Sequence, residues 1–281
     1  MSFGTFVVDE SASVSSTCKA ILGFRSVLTA ATASGSGITG QDSDYPIGLA
    51  LDASYSSEYS PDLTSNPTSC QIIFTPGAVV KTNYFTIVSK NATSSGLSVQ
   101  IEVKRASTGI YETVSGFGSM TDGKPVMVYF GEGETGNYIN VTAIRITLNY
   151  TSKPYIMSMM CGEAVVMPRT FSLGFQPAHS AYLDDVRQFM ADEGLNLVSS
   201  RRLTRGKQLE GKINYVRMDV VQAFWDEFAN HVLNSYPVCM MWNSDRPSEV
   251  IYGAQNPDRL TKPKYKNNMF TELDFDIVGW A

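Results

Sequence analysis

"LSVQIEVKR", residues 97–105, decides the fold class. Val99, Ile101 and Val103 alternate with Gln100, Glu102 and Lys104. A period of two puts the apolar side chains on one face of a strand and the polar ones on the other. A helical period would spread the same three residues round the axis. Gly96 and Gly109 flank the stretch and mark where the chain turns. The reading is a strand with one buried and one wet face.

Working outward, the same texture recurs in "SCQIIFT" (69–75), "NYFTIVS" (83–89), "PVMVYFG" (125–131) and "VTAIRITLNY" (141–150). Each is rich in β-branched and aromatic residues, and Gly123 and Gly136 add further turns. No stretch here holds a helical period for more than two turns. Short strands with regular turn punctuation predict a β-sandwich or jelly roll.

At "GEAVVMPRTF", residues 162–171, the composition changes. Before Pro168 the chain is rich in Ser, Thr and Gly and contains no Trp. After it come Trp225, Trp242 and Trp280, both histidines and most arginines. Residues 1–167 carry 9 basic and 13 acidic side chains, a balance of −4; residues 168–281 carry 13 and 14, a balance of −1. Two domains are expected, 1–167 and 168–281, joined by a short tether ending at Pro168.

The second half contains "MDVVQAFWDEFANHVL", residues 218–233. Val220, Val221, Phe224, Phe228 and Val232 fall three and four apart, the stripe of an amphipathic helix. Asp219 and Gln222 match a capping box, and an acidic start suits the helix dipole. Strands are expected around it: "KINYVRM" before, then "YPVCMMW", "EVIYGAQ" and "FTELDFDIVGW". A helix laid over a sheet is an α+β arrangement. His231, late in the helix, is expected to be partly charged and to favour the helix C-terminus.

Hydrophobic residues make up 43% and charged residues 17% of the 281, the balance of a folded protein with a formal charge of −5. No apolar run approaches the ~18 residues that span a bilayer, so no membrane insertion is expected. "MSFGTFVVDE" lacks the basic and apolar regions of a signal peptide, so folding in a cytoplasm is expected. Cys18, Cys70, Cys161 and Cys239 are scattered and read as small buried thiols, with a Cys18–Cys70 bridge left open. The sequons at Asn91, Asn140 and Asn149 then carry no sugar.

No catalytic constellation emerges. Gly35, Gly37 and Gly40, and Gly131, Gly133 and Gly136, match G-x-G-x-x-G but lack the strand–helix context that brings a pyrophosphate to a helix N-terminus. His179 and Ser180 lie near Asp184 and Asp185, yet triads draw their members from separate elements. Asp42, Asp44 and Asp52 lack the dense carboxylate ladder of a calcium loop and read as a solvated turn. The expectation is a protein that is not an enzyme and holds no cofactor or metal. Tyr55 and Tyr59 either stack on a sugar or lie in the core; Glu58 and Arg105 are grouped with them as candidate carbohydrate contacts.

"SVLTAATASGSGITGQDSDYPIGLALDASYSSEY" (26–59), "IIFTPGAVVKTNYFTIVSKN" (72–91) and "AIRITL" (143–148) resemble the galactose-binding-like jelly roll of discoidin or F5/8 type C domains. Tyr45, Pro46, Ala50 and Asp52 carry the likeness. Glu58 and Tyr59 stand where that family has a Trp. The second half, with "RGKQLEGKINY", the helix, "YPVCMMWNSDRPSEVIYGAQ" and "FTELDFDIVGW", resembles the ring-forming β-sandwich of phage tail tube and distal tail proteins. Together these resemblances imply a mainly β virion protein, an N-terminal jelly roll on a C-terminal α+β tail-tube-like sandwich with one packed helix. They imply a ring, expected as a hexamer, joining the tail tube protein to tip and hub proteins at a siphophage tail tip. The jelly roll would touch host surface glycans, and DNA would meet the ring only in transit. A free carbohydrate-binding protein with a helper domain is the alternative.

"RRLTRGKQLEG", residues 201–211, is the most basic stretch. Its domain nets −1, and the run has no aromatic residues for base stacking, so nucleic-acid recognition is disfavoured. It reads as two strands, "LNLVSSRRLT" and "KQLEGKINYV", joined near Gly206. Leu209, Ile213 and Tyr215 are expected to face inward, with a bulge at Glu210-Gly211. Arg201, Arg202, Arg205, Lys207 and Lys212 then line a lumen or wet face, or meet acidic groups at a ring interface.

Overall fold

The computed structural model describes residues 19–280 apart from 53–56, 118–119, 131–139, 169, 173–174, 176–181, 191–196, 244–248, 258–263 and 266–269. Tyr55, Gly131, Gly133, Gly136, His179, Ser180 and Cys18 lie outside the described residues. In chain order the first half forms β1 (Ile21–Gly23), β2 (Ala33–Ser34), the one-turn helix α1 (Ser36–Thr39), β3 (Ser69–Phe74), β4 (Val80–Lys81) and β5 (Tyr84–Ser89). The one-turn helix α2 (Ala92–Ser95), β6 (Ser98–Arg105), β7 (Tyr111–Phe117), β8 (Pro125–Tyr129), β9 (Asn140–Asn149), β10 (Ile156–Gly162) and β11 (Val165–Val166) follow. The second half forms β12 (Tyr182–Met190), β13 (Leu197–Arg217), α3 (Met218–Gln222), α4 (Trp225–Leu233), β14 (Val238–Met241), β15 (Val250–Gln255), β16 (Lys264–Tyr265) and β17 (Phe270–Trp280).

The molecule is mainly β, a jelly-roll-type sandwich with an α+β half, as the alternating strands predict. A six-stranded sheet runs β2-β3-β9-β6-β7 with β4 on β9; a three-stranded sheet runs β10-β5-β8; an eight-stranded sheet runs β11-β1-β14-β15-β17-β13-β12 with β16 on β17. In β6, Val99, Ile101 and Val103 are buried and their neighbours only partly so. Gly96, Gly109 and Gly123 make the turns at positive φ (61°, 66° and 67°), where a Cβ is unfavourable.

Parity along the strands separates three cores among the described residues. Phe85 and Ile87 of β5 and Met159 and Cys161 of β10 face the six-stranded sheet and pack with Ile72, Ile101 and Ile146. Tyr84 and Val88 point the other way, with Met127 and Met160, and meet Ile21, Cys239, Met241, Val250 and Tyr252 of the eight-stranded sheet. The alternate residues of that sheet, Leu22, Val238, Met240 and Ile251, pack with Phe224, Phe228 and Val232 of the helical segments. The fold is therefore four layers: six-stranded sheet, three-stranded sheet, eight-stranded sheet, helices. The central three-stranded sheet is buried on both faces, so β5 and β10 show no wet face at all.

Residues 21–23 and 165–166 lie in the sheet of the second half although they precede Pro168. Leu22 registers with Met240 on one side and Val165 on the other. Gly23 is needed where the Tyr84 ring crosses β1, since a Cβ there would stand 2.6 Å from that ring. The Tyr84 hydroxyl donates to the Arg25 carbonyl at 2.5 Å.

Three local expectations are corrected. First, β13 is one continuous strand without a turn at Gly206, which registers with Leu183 of β12. A glycine alone does not make a turn when the flanking residues have ladder partners: Lys207 registers with Tyr182 of β12 and with Gly279 of β17. The hairpin joins β12 to β13 instead.

Second, the bulge lies between Ile213 and Val216, not at Glu210-Gly211. Leu209 and Ile213 are buried as expected, but Tyr215 takes φ +57° and is half exposed. Gly211 stays in register with Phe275 beneath the stacked rings of Phe171 and Phe175, 4.3 Å apart, which occupy the space of its missing side chain.

Third, the helix is split at Ala223-Phe224, and no capping box forms. Arg217 is the N-cap, and Asp219 sits inside the first turn. Its carboxylate instead accepts Val220 N–H at 3.0 Å and the Arg217 guanidinium at 2.5 and 3.0 Å. Val221, Phe224, Phe228 and Val232 remain buried, so the stripe survives the break.

Candidate functional site

One end of the jelly roll gathers aromatic rings and charges at the surface. After α1, "GQDSDYP" folds tightly: Asp42 Oδ1 accepts Asp44 N–H at 3.0 Å, and Tyr45 N–H donates to the Asp42 carbonyl at 3.1 Å. A short polar side chain bonding the backbone two residues on is what favours Asp in such turns. Gln41 Oε1 accepts Ile47 N–H at 2.9 Å and closes the far side. The loop after β9 is pinned by Asn91, whose Nδ2 donates to the Lys153 carbonyl and whose Oδ1 accepts Tyr155 N–H, both at 2.8 Å.

These two loops bring Tyr45 and Tyr155 edge to face, ring centres 5.3 Å apart. The Lys153 ammonium stands 5.1 and 5.6 Å from the two ring centres, and Lys90 lies 5.9 Å from that of Tyr155. Lys153 pairs with Asp42, and Lys90 with Glu58 at 2.6 Å. The Lys153 hydrogen bond, helped by Asp44 N–H, holds the Asp42 carboxyl below its ordinary value, and the same bond raises Lys153. Glu58 raises Lys90 likewise. The patch offers two partly exposed rings, two ammonium donors and two carboxylates, Asp42 and Glu58. An apolar ring face edged by hydrogen-bonding groups is complementary to a sugar ring.

Of the candidate sugar contacts, Glu58 joins this patch. Tyr59 does not. It is fully buried, its hydroxyl donating to the Gly37 carbonyl at 2.8 Å beside Cys70 Sγ, and burial drives its pKa far up. The period of two in extended chain decides this: at the Tyr59–Ile156 bridge successive side chains face opposite ways, so Glu58 reaches the surface and Tyr59 the core. Arg105 lies elsewhere, at the end of β6, paired with Glu112 on β7. The patch residues that the sequence did not single out are Lys90, Lys153 and Tyr155; "SKPYI" carries no signal beyond a turn.

Asp52 accepts the Ser57 hydroxyl at 2.8 Å, apart from Asp42. Among the described residues no three His, Cys, Asp or Glu side chains gather as a metal site. Cys70, Cys161 and Cys239 are buried free thiols; desolvation pushes Cys70 up to about 11 and Cys239 up to about 12. No helix among the described residues is long and apolar enough to cross a membrane.

The basic residues of the second half divide into two groups. Lys212 bonds Glu272 at 3.3 Å and Asp274 at 3.5 Å, acidic partners on its own β17. Arg201, Arg202 and Arg205 lie in the part of β13 that pairs with β12, in register with Arg187, Val186 and Asp184. Lys207 marks the junction of the two parts.

No protein-family model and no curated protein matches the chain. Among solved structures, a family 32 carbohydrate-binding module of C. perfringens NanJ in complex with galactose is 16% identical, with 46% of this chain and 91% of that chain covered and a TM-score of 0.37. A chitosan-binding module from a chitosanase/glucanase of Paenibacillus sp. is 15% identical, covering 47% of this chain and 94% of that one, TM-score 0.35. A Ruminococcus gnavus fucosidase in complex with fucose is 14% identical over 43% of this chain, TM-score 0.35. The match spans 22% of the fucosidase's length.

Proposed function

We propose that this protein is a structural component of a phage tail tip, a ring-forming subunit whose jelly roll contacts host surface glycans. The observation that carries the assembly half is the ribbon formed by β12 and β13. β17 covers β13 only from Lys207 to Arg217, so, among the described residues, 197–206 pair with β12 alone, in register with residues 183–190 of that strand. At about 3.3 Å per residue, roughly 30 Å of ribbon runs past the sheet. Among the described residues β12 carries no strand on its outer side. An uncovered edge with a charged strand resists random pairing yet accepts a defined neighbour. A copy of the same ribbon, repeated around an axis, closes such edges into a ring.

The Tyr45–Tyr155 patch supports the glycan half and equally favours the second reading, a free carbohydrate-binding protein. Light scattering and negative-stain microscopy separate the two. Rings with a central hole, lost when Arg201, Arg202 and Arg205 become Glu while the subunit stays folded, are expected for the tail protein. A monomer that is retained on a glycan column, unchanged by the triple substitution, overturns the ring and leaves the second reading.

A further inference from the structure

A second candidate binding site lies away from the jelly-roll patch, in a cleft of about 550 Å³ between the two halves. One wall comes from residues 24–26, 28–29, Leu51 and 158–160; the other is Glu227 and His231 of α4, the turn after it and Tyr252 of β15. Such a volume is that of an ordinary small-ligand pocket.

The cleft is built by particular bonds. Arg25 reaches across it, its Nε and Nη2 donating to Glu227 of α4 at 2.9 and 2.5 Å, while Nη1 reaches Glu163 at 3.5 Å. Deeper, the Ser158 hydroxyl donates to the Tyr252 hydroxyl at 2.6 Å. α4 ends in a Schellman closure: Tyr236 N–H donates to the His231 carbonyl and Ser235 N–H to that of Val232. Ser235 takes the left-handed conformation at φ +59°, a position usually given to glycine. That turn sets the Tyr236 ring on the rim, 53% exposed and 5.3 Å from the His231 imidazole. His231 Nε2 lies 2.8 Å from the Pro237 carbonyl, the contact of a donor N–H, which leaves Nδ1 as an acceptor.

The charges in the cleft select the ligand class. The Arg25 guanidinium is already shared between two carboxylates, so an anion would have to displace them. A cation would compete with Arg25 for Glu227. A neutral molecule with many hydroxyls and an apolar face conflicts with neither. Carboxylate oxygens hold more lone pairs than Arg25 occupies, so Glu227 keeps acceptor capacity for hydroxyl donors. Leu28, Leu51 and Tyr236 supply apolar surface.

We infer that this cleft binds a neutral mono- or disaccharide, independently of the Tyr45–Tyr155 patch, with Glu227 and His231 accepting its hydroxyls and Tyr236 packing on its ring. The test uses the intact chain with maltose, lactose and chitobiose, followed by saturation-transfer NMR and titration calorimetry. Tyr236→Ala and Ser26→Trp, both at exposed cleft positions, are expected to weaken binding about tenfold or more. The double variant Tyr45→Ala/Tyr155→Ala is expected to retain it. Binding unaffected by both cleft variants overturns the inference, as does silence from all three sugars on the wild type. Loss in the Tyr45/Tyr155 variant alone overturns the cleft but leaves the jelly-roll reading standing.

Discussion

The central three-stranded sheet and the β12–β13 ribbon are the two extremes of this molecule. Every residue of β5 and β10 is buried, between two other sheets. Among the described residues, 197–206 of β13 have a single ladder partner, β12. In the first region, changes to shape or polarity act on stability, because close-packed surroundings relax only in part. In the second, substitutions act on what the ribbon pairs with and little on the fold. The same β chemistry thus serves as a hub in one place and as an arm in the other.

The largest effect that sharpens this contrast is expected from Phe85→Ala, which empties a fully buried position of the central layer and costs about 3–5 kcal/mol in chemical denaturation. Next comes Gly253→Ala. Gly253 faces Gly279 across β15 and β17, and an added Cβ would press into the Val278 backbone. Overpacking of that kind costs about 1–3 kcal/mol. Tyr252→Phe leaves the buried Ser158 hydroxyl without its acceptor at the seam between halves, a loss of about 1–2 kcal/mol read from the same curves.

A smaller effect is expected from pH. Burial holds the His231 imidazole below its ordinary pKa, outweighing the Pro237 carbonyl that favours the proton. The helix end therefore holds a neutral ring, not the charged one its position suggests. As pH falls through the ordinary imidazole range, the unfolded chain takes up the proton before the folded one does, so stability declines with acidification until the folded ring is protonated too. His231→Gln is expected to flatten that slope in denaturation series between neutral and mildly acid pH. The smallest effect on folding belongs to the ribbon. Arg201, Arg202 and Arg205 changed together to Glu are expected to leave the melting temperature within a degree or two while assembly is lost. A triple variant that unfolds would make the ribbon part of the hub and break the contrast.

Much of this was legible in order along the chain. The strand over residues 97–105, the strands around the helix and the apolar stripe of α3 and α4 rest on side-chain periods, which are local. Gly96, Gly109 and Gly123 were legible as turns for the same reason. The site was legible only in part. Glu58 was named, but its partner Lys90 lies 32 residues on, and Lys153 is 111 residues from Asp42. No spacing rule connects such pairs. Tyr59 was ambiguous because a tyrosine suits both a core and a sugar face, and only its place beside Gly37 and Cys70 decides.

By itself the sequence determined that the chain is mainly β, where most strands run, and that one amphipathic helical segment follows the basic strand. Those follow from alternation and from three- and four-residue spacing, which each segment carries within itself. Tertiary structure alone decided that β1 leaves the first half to pair with β14, and that β5 and β10 are buried on both faces. It also decided that β13 runs straight through Gly206 and that Arg25 bridges a cleft to Glu227, 202 residues away. Each depends on which surfaces meet, and a partner that far along the chain leaves no imprint on local pattern.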